Sequence, residues 1–196
     1  ANQYRGRHRT LFTAVRFGNV LGSRGSVVPL FKSQIESGGP VTLTDRRATR
    51  FMMSIHQAVG LALNALTQSS GAELFILKMP VVKVVDLAEV LIAEYAPLVG
   101  RAPESVRIEE IGLRAGEKLH EELLTELESE RAFESDDMFL LPCGPAEPIH
   151  PGGKWQRTQR KRYSSDDVMP LQPEQVLQLL QQNGLLAPLH GAEDSL

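Results

Sequence analysis

Residues 15–31 read VRFGNVLGSRGSVVPLF: an apolar segment, a glycine-rich turn and then a segment with helical spacing. The apolar segment, 11–17, is rich in aromatic and β-branched residues and stops at Gly18, which predicts a β-strand. Ser26 is a typical helix N-cap, and apolar residues recur on one face of 27–37 before a Gly-Gly-Pro sequence ends the pattern. A strand, a turn and a helix in this order favour an α/β fold.

The rest of the chain continues this alternation of short apolar runs and segments of helical spacing. Its composition shifts to proline, glycine and basic residues after position 142, so we predict a boundary near Cys143. We predict strands at 41–44, 50–55, 73–77 and 106–111, and helices at 56–68, 84–96, 117–127 and 173–183.

The composition is that of an ordinary globular protein, with 196 residues, 42% of them hydrophobic. Because 24 acidic residues outnumber 21 basic ones, nucleic-acid binding is the weakest alternative and rests only on the basic runs at 5–9 and 157–162. The single cysteine supplies neither an internal disulfide nor a metal cluster. No apolar run approaches the ~18 residues that span a bilayer. We therefore expect a cytoplasmic protein and, because residue 1 is not Met, a piece of a longer polypeptide.

The glycine-rich turn 18–25 is the first candidate site. It imitates a dinucleotide fingerprint, since Asp45 follows the next short strand, but its spacing is G-x-x-x-G-x-x-G rather than G-x-G-x-x-G. Two other interpretations stay open. The glycines could let a ligand approach the backbone, with Asn19 and Arg24 as polar contacts, or the turn could only join the strand to the helix.

Two arginines are candidate ligands for an anion, because a diphosphate is bound best by fixed positive charge and forked donors. Arg50 stands among apolar residues where a strand begins. Arg114 precedes Gly116 and a predicted helix start, where backbone amides attract an anion. The alternative for Arg50 is a surface residue without a ligand, and the alternative for Arg114 is a capped helix with exposed charges.

We identify no catalytic group within the chain. Its tyrosines, Tyr4, Tyr95 and Tyr163, lack the lysine four residues on that lowers a phenol pKa for acid–base work. The sequence HEELL that begins at His120 lacks the second histidine of H-E-x-x-H, so we predict no metal site. A serine nucleophile elbow, G-x-S-x-G, is also absent.

Four ordered blocks of sequence resemble a known family, the polysaccharide-biosynthesis branch of the extended short-chain dehydrogenases, which includes the UDP-N-acetylglucosamine 4,6-dehydratases. The resemblance extends over residues 10–142 and, more weakly, over YSSD at 163–166. The four blocks are the one quoted above, VTLTD followed by TRFM within 41–52, ELFILKMP at 73–80 and GLRAGEKLHE at 112–121.

This resemblance implies the C-terminal part of a Rossmann-like NAD(P) enzyme. Residues 1–142 would hold the last strand of the cofactor domain and a nucleotide-sugar-binding subdomain, and 143–196 an irregular tail with one late helix. In the family the cofactor loop and the catalytic Tyr-x-x-x-Lys lie upstream. The chain would therefore be the substrate-binding half of a 4,6-dehydratase, inactive alone, and NAD(P) would belong to the intact parent rather than to this piece.

The resemblance also implies roles for individual residues, all of them at the sugar nucleotide or the cofactor. Ala115 replaces the proline usual in R-P-G-E-K, which affects loop stiffness more than charge. The implied contacts are Asn19 and Arg24 at the junction of UDP-sugar and nicotinamide, Val20 beside the cofactor, Val27 and Thr42 at the uridine, and Arg50, Arg114 and Glu117 at the diphosphate and ribose.

The expected partners are a UDP-sugar, the N-terminal cofactor domain and, in the parent enzyme, further copies of the same chain; no nucleic acid and no metal are expected. Any membrane anchor of the parent would lie in upstream segments. The family reaction oxidises C4 of the sugar, eliminates water across C5 and C6 and returns the hydride to C6. The alternative function is a non-catalytic nucleotide-sugar-binding remnant or interaction module.

Overall fold

The computed structural model of this chain describes residues 10–142 and 155–188. The boundary that we predict near Cys143 and the basic run 5–9 lie outside the described residues. The helices are α1 (Val27–Ser37), α2 (Ile55–Gln68), α3 (Val84–Tyr95), α4 (Glu126–Ser129) and α5 (Pro173–Gln182). The strands are β1 (Ala14–Arg16), β2 (Asn19–Val20), β3 (Val41–Leu43), β4 (Thr49–Met53), β5 (Glu73–Leu77), β6 (Val81–Lys83), β7 (Ile108–Glu110), β8 (Glu122–Leu124), β9 (Phe133–Glu134), β10 (Met138–Pro142), β11 (Gln156–Arg157) and β12 (Tyr163–Ser164).

The largest sheet has the strand order β1-β5-β10-β9-β11. β1 runs parallel to β5, and β5 pairs antiparallel with β10. Every residue of β10 is buried, as are four of the five residues of β5, so these two strands form the centre of the sheet. β1 is shorter than the segment 11–17 that we predict, and within the described chain it is an edge strand.

Two smaller sheets lie beside this one and build the site described below. β2 runs parallel to β4, and β4 pairs antiparallel with β6. β3 runs parallel to β7. At Gly18, immediately before β2, an added Cβ would lie 2.5 Å from the Cβ of Phe51. Only glycine allows β2 and β4 to approach this closely.

One part of the core joins three helices. Phe31 and Ile35 of α1, Leu91 and Tyr95 of α3 and Leu180 of α5 are buried in the same apolar cluster. The helical pattern that begins at Val27 therefore buries its apolar face, as the sequence predicts. The late helix α5 packs on α3 and belongs to this core.

A second apolar cluster lies between the sheets. The ring of Tyr163 stacks at 4.6 Å from Phe51 and 5.0 Å from Phe139. Its hydroxyl donates to the Met79 carbonyl at 3.2 Å and accepts from the Met79 amide at 2.8 Å. The segment around Tyr163, which lies within the tail 143–196 that we predict to be irregular, is thus an integral part of the core.

The prediction of a helix at 117–127 is wrong. Residues 117–121 form an irregular turn, Glu122–Leu124 form β8 against β12, and only Glu126–Ser129 are helical. Leu119, Leu123 and Leu127 have helical spacing, but Leu127 is exposed. The pairing of β8 with a distant strand overrides the local pattern.

The other predicted helices are confirmed at 27–37, 55–68, 84–95 and 173–182. Ser26 stands at the N-cap of α1 but makes no capping hydrogen bond, and its Oγ is buried without a hydrogen-bond partner among the described residues. Within the described parts of the chain, no helix has both the length and the apolar character needed to cross a membrane.

Candidate functional site

A cleft of about 210 Å³ collects most of the residues that we predict to bind a sugar nucleotide. It lies between the start of α1, strands β2, β3 and β4, and the turn before Glu117. Its apolar lining comes mainly from Leu30, Phe31, Leu43, Met52, Val84 and Ile111. The predicted residues that line it are Asn19, Val27, Thr42, Arg50, Arg114 and Glu117.

A wider hollow of about 410 Å³ lies beyond the C-terminal end of α1. It contains none of the predicted site residues, and its lining consists of Gly38, Gly39, Pro40, Ser105, Arg107, Ile108 and Glu109. Its one cation, Arg107, is exposed. The smaller cleft is the better candidate site because it combines an apolar wall with two convergent arginines.

Arg50 is held by the protein on every side of its guanidinium. NH1 donates to the carbonyls of Thr49 at 2.8 Å and Leu119 at 3.0 Å. NH2 lies 3.6 Å from Glu117 Oε1, and Nε lies 3.8 Å from Glu121 Oε1. Because the side chain is only 15% exposed, the surface alternative for Arg50 is wrong. NH2 and Nε are too far from the two carboxylates for hydrogen bonds, so their hydrogens are the ones left to donate to a ligand.

Arg114 and Glu117 enclose a tight turn. The Glu117 amide donates to the Arg114 carbonyl at 3.0 Å, and the Arg114 amide donates to Glu117 Oε2 at 3.3 Å. Gly116 has φ +84°, which favours glycine in this turn. No helix begins at this turn, so the attraction of an anion by a helix N-terminus, which the sequence predicts at Arg114, is absent. Among the described residues, no side chain pairs with the Arg114 guanidinium, which makes it the available cation of the cleft.

The polar groups opposite the arginines are also engaged with the protein. Thr44 Oγ1 donates to Glu117 Oε1 at 3.2 Å. Gln34 donates to Thr42 Oγ1 at 2.8 Å and accepts from the Thr42 amide at 3.1 Å. Since the Thr42 oxygen accepts from Gln34, its hydroxyl hydrogen is left to donate to a ligand. Gln34 could not be identified from the sequence, because its contact with Thr42 forms only when β3 folds back after the turn at 38–40.

Glu121 is a candidate site residue that the sequence prediction missed. Its carboxylate accepts from Asn19 Nδ2 at 2.9 Å and from the Phe51 amide at 3.2 Å. Two signals in the sequence included it: HEELL, which we considered as an incomplete metal motif, and the block GLRAGEKLHE, which ends at Glu121. Within residues 10–142 and 155–188, no three His, Cys, Asp or Glu side chains are grouped to hold a metal ion.

Two predicted residues do not line the cleft. Arg24 is exposed in the turn before α1, and Val20 packs against the second apolar cluster. An added Cβ at Gly22 would lie 2.6 Å from the Leu185 side chain. Together with the contact of Gly18 to β4, this shows that these two glycines serve packing rather than the approach of a ligand.

The fold and the cleft define an α/β protein with a small polar and apolar binding cleft beside short strands. The chain belongs to the polysaccharide biosynthesis protein family, whose model matches residues 1–142. It is 46% identical over 183 residues to an uncharacterized membrane protein of Methanocaldococcus jannaschii, covering 93% of this chain and 53% of that protein. It is 37% identical over 142 residues to a UDP-N-acetylglucosamine 4,6-dehydratase (inverting) of Campylobacter jejuni, covering 72% of this chain and 39% of that protein.

The fold is shared with a solved structure, the X-ray structure of Pen from Bacillus thuringiensis. The TM-score is 0.80 at 44% sequence identity, and the match covers 93% of this chain and 53% of Pen. The family resemblance and the α/β fold class inferred from the sequence are thereby confirmed. The chain spans about half the length of Pen and of the archaeal relative.

Proposed function

We propose that this chain is the substrate-binding part of an NAD(P)-dependent nucleotide-sugar 4,6-dehydratase that acts on UDP-N-acetylglucosamine in the synthesis of surface polysaccharide. The observation that carries the proposal is the convergence of Asn19, Arg50, Arg114 and Glu117 on one cleft. These residues come from separate blocks of sequence. A cytoplasmic location is part of the same proposal.

The cleft suits the chemistry of a uridine diphosphate. Val27, Leu30 and Met52 offer apolar surface for a planar base, and the Thr42 hydroxyl can donate to one of its carbonyl oxygens. Arg50 and Arg114 supply two positive charges, and the carboxylates of Glu117 and Glu121 both lie beside Arg50. The Arg114 guanidinium has no ion pair among the described residues, so it is free to donate charge-assisted hydrogen bonds to the oxygens of a diphosphate.

We propose that the cofactor NAD(P) contacts this chain only beside β2, where Val20 lies. NAD(P)+, when bound, supplies reversible acceptance of a hydride from the sugar. Val20 is the residue that we assign to it. The chain's own tyrosine near this region, Tyr163, is buried and bonded to the backbone of Met79, and burial raises the pKa of its phenol. Tyr163 is therefore unsuited to acid–base work, and we propose that turnover requires groups outside this chain.

Isothermal titration of the chain with UDP tests the proposal. We expect saturable binding that Arg114→Gln weakens by about tenfold, as loss of one charge-assisted contact implies. The matched control is Arg107→Gln, which removes an exposed arginine outside the cleft and should leave the affinity unchanged. Absence of binding, or equal losses in both variants, would contradict the proposal and favour the interaction-module alternative.

A further inference from the structure

The Glu121 carboxylate reaches two residues of the cleft without lining the cleft itself. Oε1 accepts from Asn19 Nδ2 at 2.9 Å and lies 3.8 Å from Arg50 Nε. Oε2 accepts from the Phe51 amide at 3.2 Å. The backbone bond to Phe51 fixes the carboxylate on β4, so the two cleft side chains are held relative to the same strand.

The backbone of Glu121 is held from the opposite side by the late strand. The Glu121 amide donates to Ser165 Oγ at 2.9 Å, and the Ser165 amide donates to the Glu121 carbonyl at 2.8 Å. Ser164 Oγ lies 3.1 Å from the same carbonyl, but its one hydrogen also has Asp166 Oδ1 as a closer acceptor. Ser165 is fully buried, and its hydroxyl also hydrogen-bonds Thr49 Oγ1 at 2.7 Å, next to Arg50 in the sequence.

These contacts fix the orientation of the Asn19 amide. Its Nδ2 faces two acceptors, the Glu121 carboxylate and the Phe51 carbonyl at 3.4 Å. An amide oxygen in that place would meet oxygens only, so the nitrogen must point there. Oδ1 has no donor among the described residues, and it is the atom left to accept a hydrogen bond from a ligand.

We propose that Glu121 is a positioning residue of the cleft, braced by Ser165, that presets the Asn19 amide and the Arg50 guanidinium for the sugar nucleotide. This inference rests on the proposed function for the identity of the ligand. It also gives the late segment of the chain a role in the site, because Ser165, immediately after β12, holds the residue that orients the binding groups.

The test is the UDP affinity of Glu121→Gln measured on the full chain. Glutamine keeps the size of the side chain but offers one acceptor in place of two, so its NH2 group must face either Asn19 Nδ2 or the Phe51 amide. We expect affinity to fall by about tenfold. The control is Glu122→Gln, one residue on and exposed, which should stay within about twofold of wild type.

A double-variant cycle separates positioning from a general loss of structure. If Glu121 acts through Asn19, Asn19→Ala should remove most of the effect of Glu121→Gln on UDP binding. Additive losses, or an unchanged affinity in Glu121→Gln, overturn the proposal. If Glu121→Gln does not fold, Glu121→Asp takes its place, because aspartate keeps the charge but withdraws the carboxylate by one methylene. A loss of about tenfold in UDP affinity in Glu121→Asp supports the proposal, and an unchanged affinity overturns it.

The side-chain amide signals of Asn19 in the nuclear magnetic resonance spectrum of the ligand-free chain give a readout independent of the ligand. We expect them to shift in Glu121→Gln and to stay in place in Glu122→Gln. Unchanged signals in Glu121→Gln overturn the positioning role. Failure of the wild-type chain to bind UDP would instead contradict the proposed function, and the amide signals would still decide whether Glu121 orients Asn19.

Discussion

At the scale of single residues, the two arginines of the cleft differ in burial and in their contacts with the protein. Arg50 is mostly buried and donates to two backbone carbonyls, whereas Arg114 is exposed and has an unpaired guanidinium among the described residues. Removal of Arg50 would take one donor from the carbonyls of Thr49 and Leu119, which also accept from Ser165 Oγ and from the Thr49 amide respectively. We therefore expect Arg50 to contribute to stability as well as to binding, and Arg114 mainly to binding.

We predict that Arg50→Lys lowers both UDP affinity and stability. Lysine keeps the charge but cannot reproduce the forked donation to two carbonyls and a ligand. Arg50→Ala should lose about 1.5–3 kcal/mol of binding free energy, which is one to two decades in affinity. Arg50→Lys should recover part of that lost affinity. Titration calorimetry and thermal unfolding measure the two effects. An affinity unchanged in Arg50→Ala would show that Arg50 serves the fold alone.

Gly18 gives a second prediction at this scale. Its added Cβ would also lie 2.6 Å from the Phe51 carbonyl oxygen, so neither a side chain nor the backbone can yield easily. Gly18→Ala should lower the free energy of unfolding by about 1–3 kcal/mol, the usual cost of overpacking. Chemical denaturation measures it, with Gly39→Ala as the control, because a Cβ there meets nothing within 4 Å. Equal stabilities of the two variants would contradict the close approach of β2 to β4.

At the scale of elements, α1 could be predicted from sequence, and β8 could not. Between Val27 and Ser37 the apolar period, a preceding serine and a following Gly-Gly-Pro agree, so local signals suffice. Glu122–Leu124 carry a helical leucine spacing, and their extended form depends on Tyr163–Ser164, far along the chain. The contacts of Glu121 depend on the same long-range pairing, so its place at the end of the block GLRAGEKLHE did not predict them.

The start of α4 supplies a prediction for pH dependence. The Arg16 guanidinium donates to both Glu128 oxygens at 2.9 Å and holds the pKa of that carboxyl below its usual value, against the opposing effect of burial. A lowered pKa in the folded state means that the pair stabilises the fold above the unfolded pKa and that this contribution is lost as pH falls through the folded pKa.

Glu128→Gln should therefore lose about 1 kcal/mol of stability at pH 7, because its amide cannot pair as an anion with Arg16. The difference from wild type should begin to shrink as pH falls below the ordinary glutamate pKa of about 4.3 and should vanish only below the lower, folded-state pKa, where the folded wild-type carboxyl is protonated as well. Urea denaturation over this pH range measures it, with the exposed Glu130→Gln as a control. A difference that stays constant from pH 7 to pH 3 would refute the ion-pair explanation.

At the scale of the whole molecule, the described chain leaves apolar surface exposed at the edge of its main sheet. β1 pairs with β5 alone, and Leu11 and Phe17 beside it are 59% and 39% exposed. A strand of this kind usually has a neighbour on each side. The sheet is thus suited to continuation by further strands, in agreement with the share of its longer relatives that this chain spans.

The helix next to this edge adds to the exposed apolar surface. Ile55, Val59, Leu63 and Leu66 lie on one side of α2, and each is more than half exposed. We expect the isolated chain to associate, because apolar patches of this kind are uncommon on monomers. Leu63→Gln combined with Leu66→Gln should lower the associated fraction in light scattering, and Leu98→Gln, at an exposed leucine elsewhere, should not. A monodisperse wild-type monomer with cooperative unfolding would contradict this expectation.

The central claim is that one cleft of this chain binds the UDP part of a nucleotide sugar. A titration of the isotope-labelled chain with UDP-N-acetylglucosamine, followed by amide and side-chain resonances, tests it most directly. We predict saturable shifts at Asn19, Thr42 and Arg114, with the hollow around Gly39 and Arg107 unaffected. Shifts that are absent, or that centre on that hollow, would contradict the account.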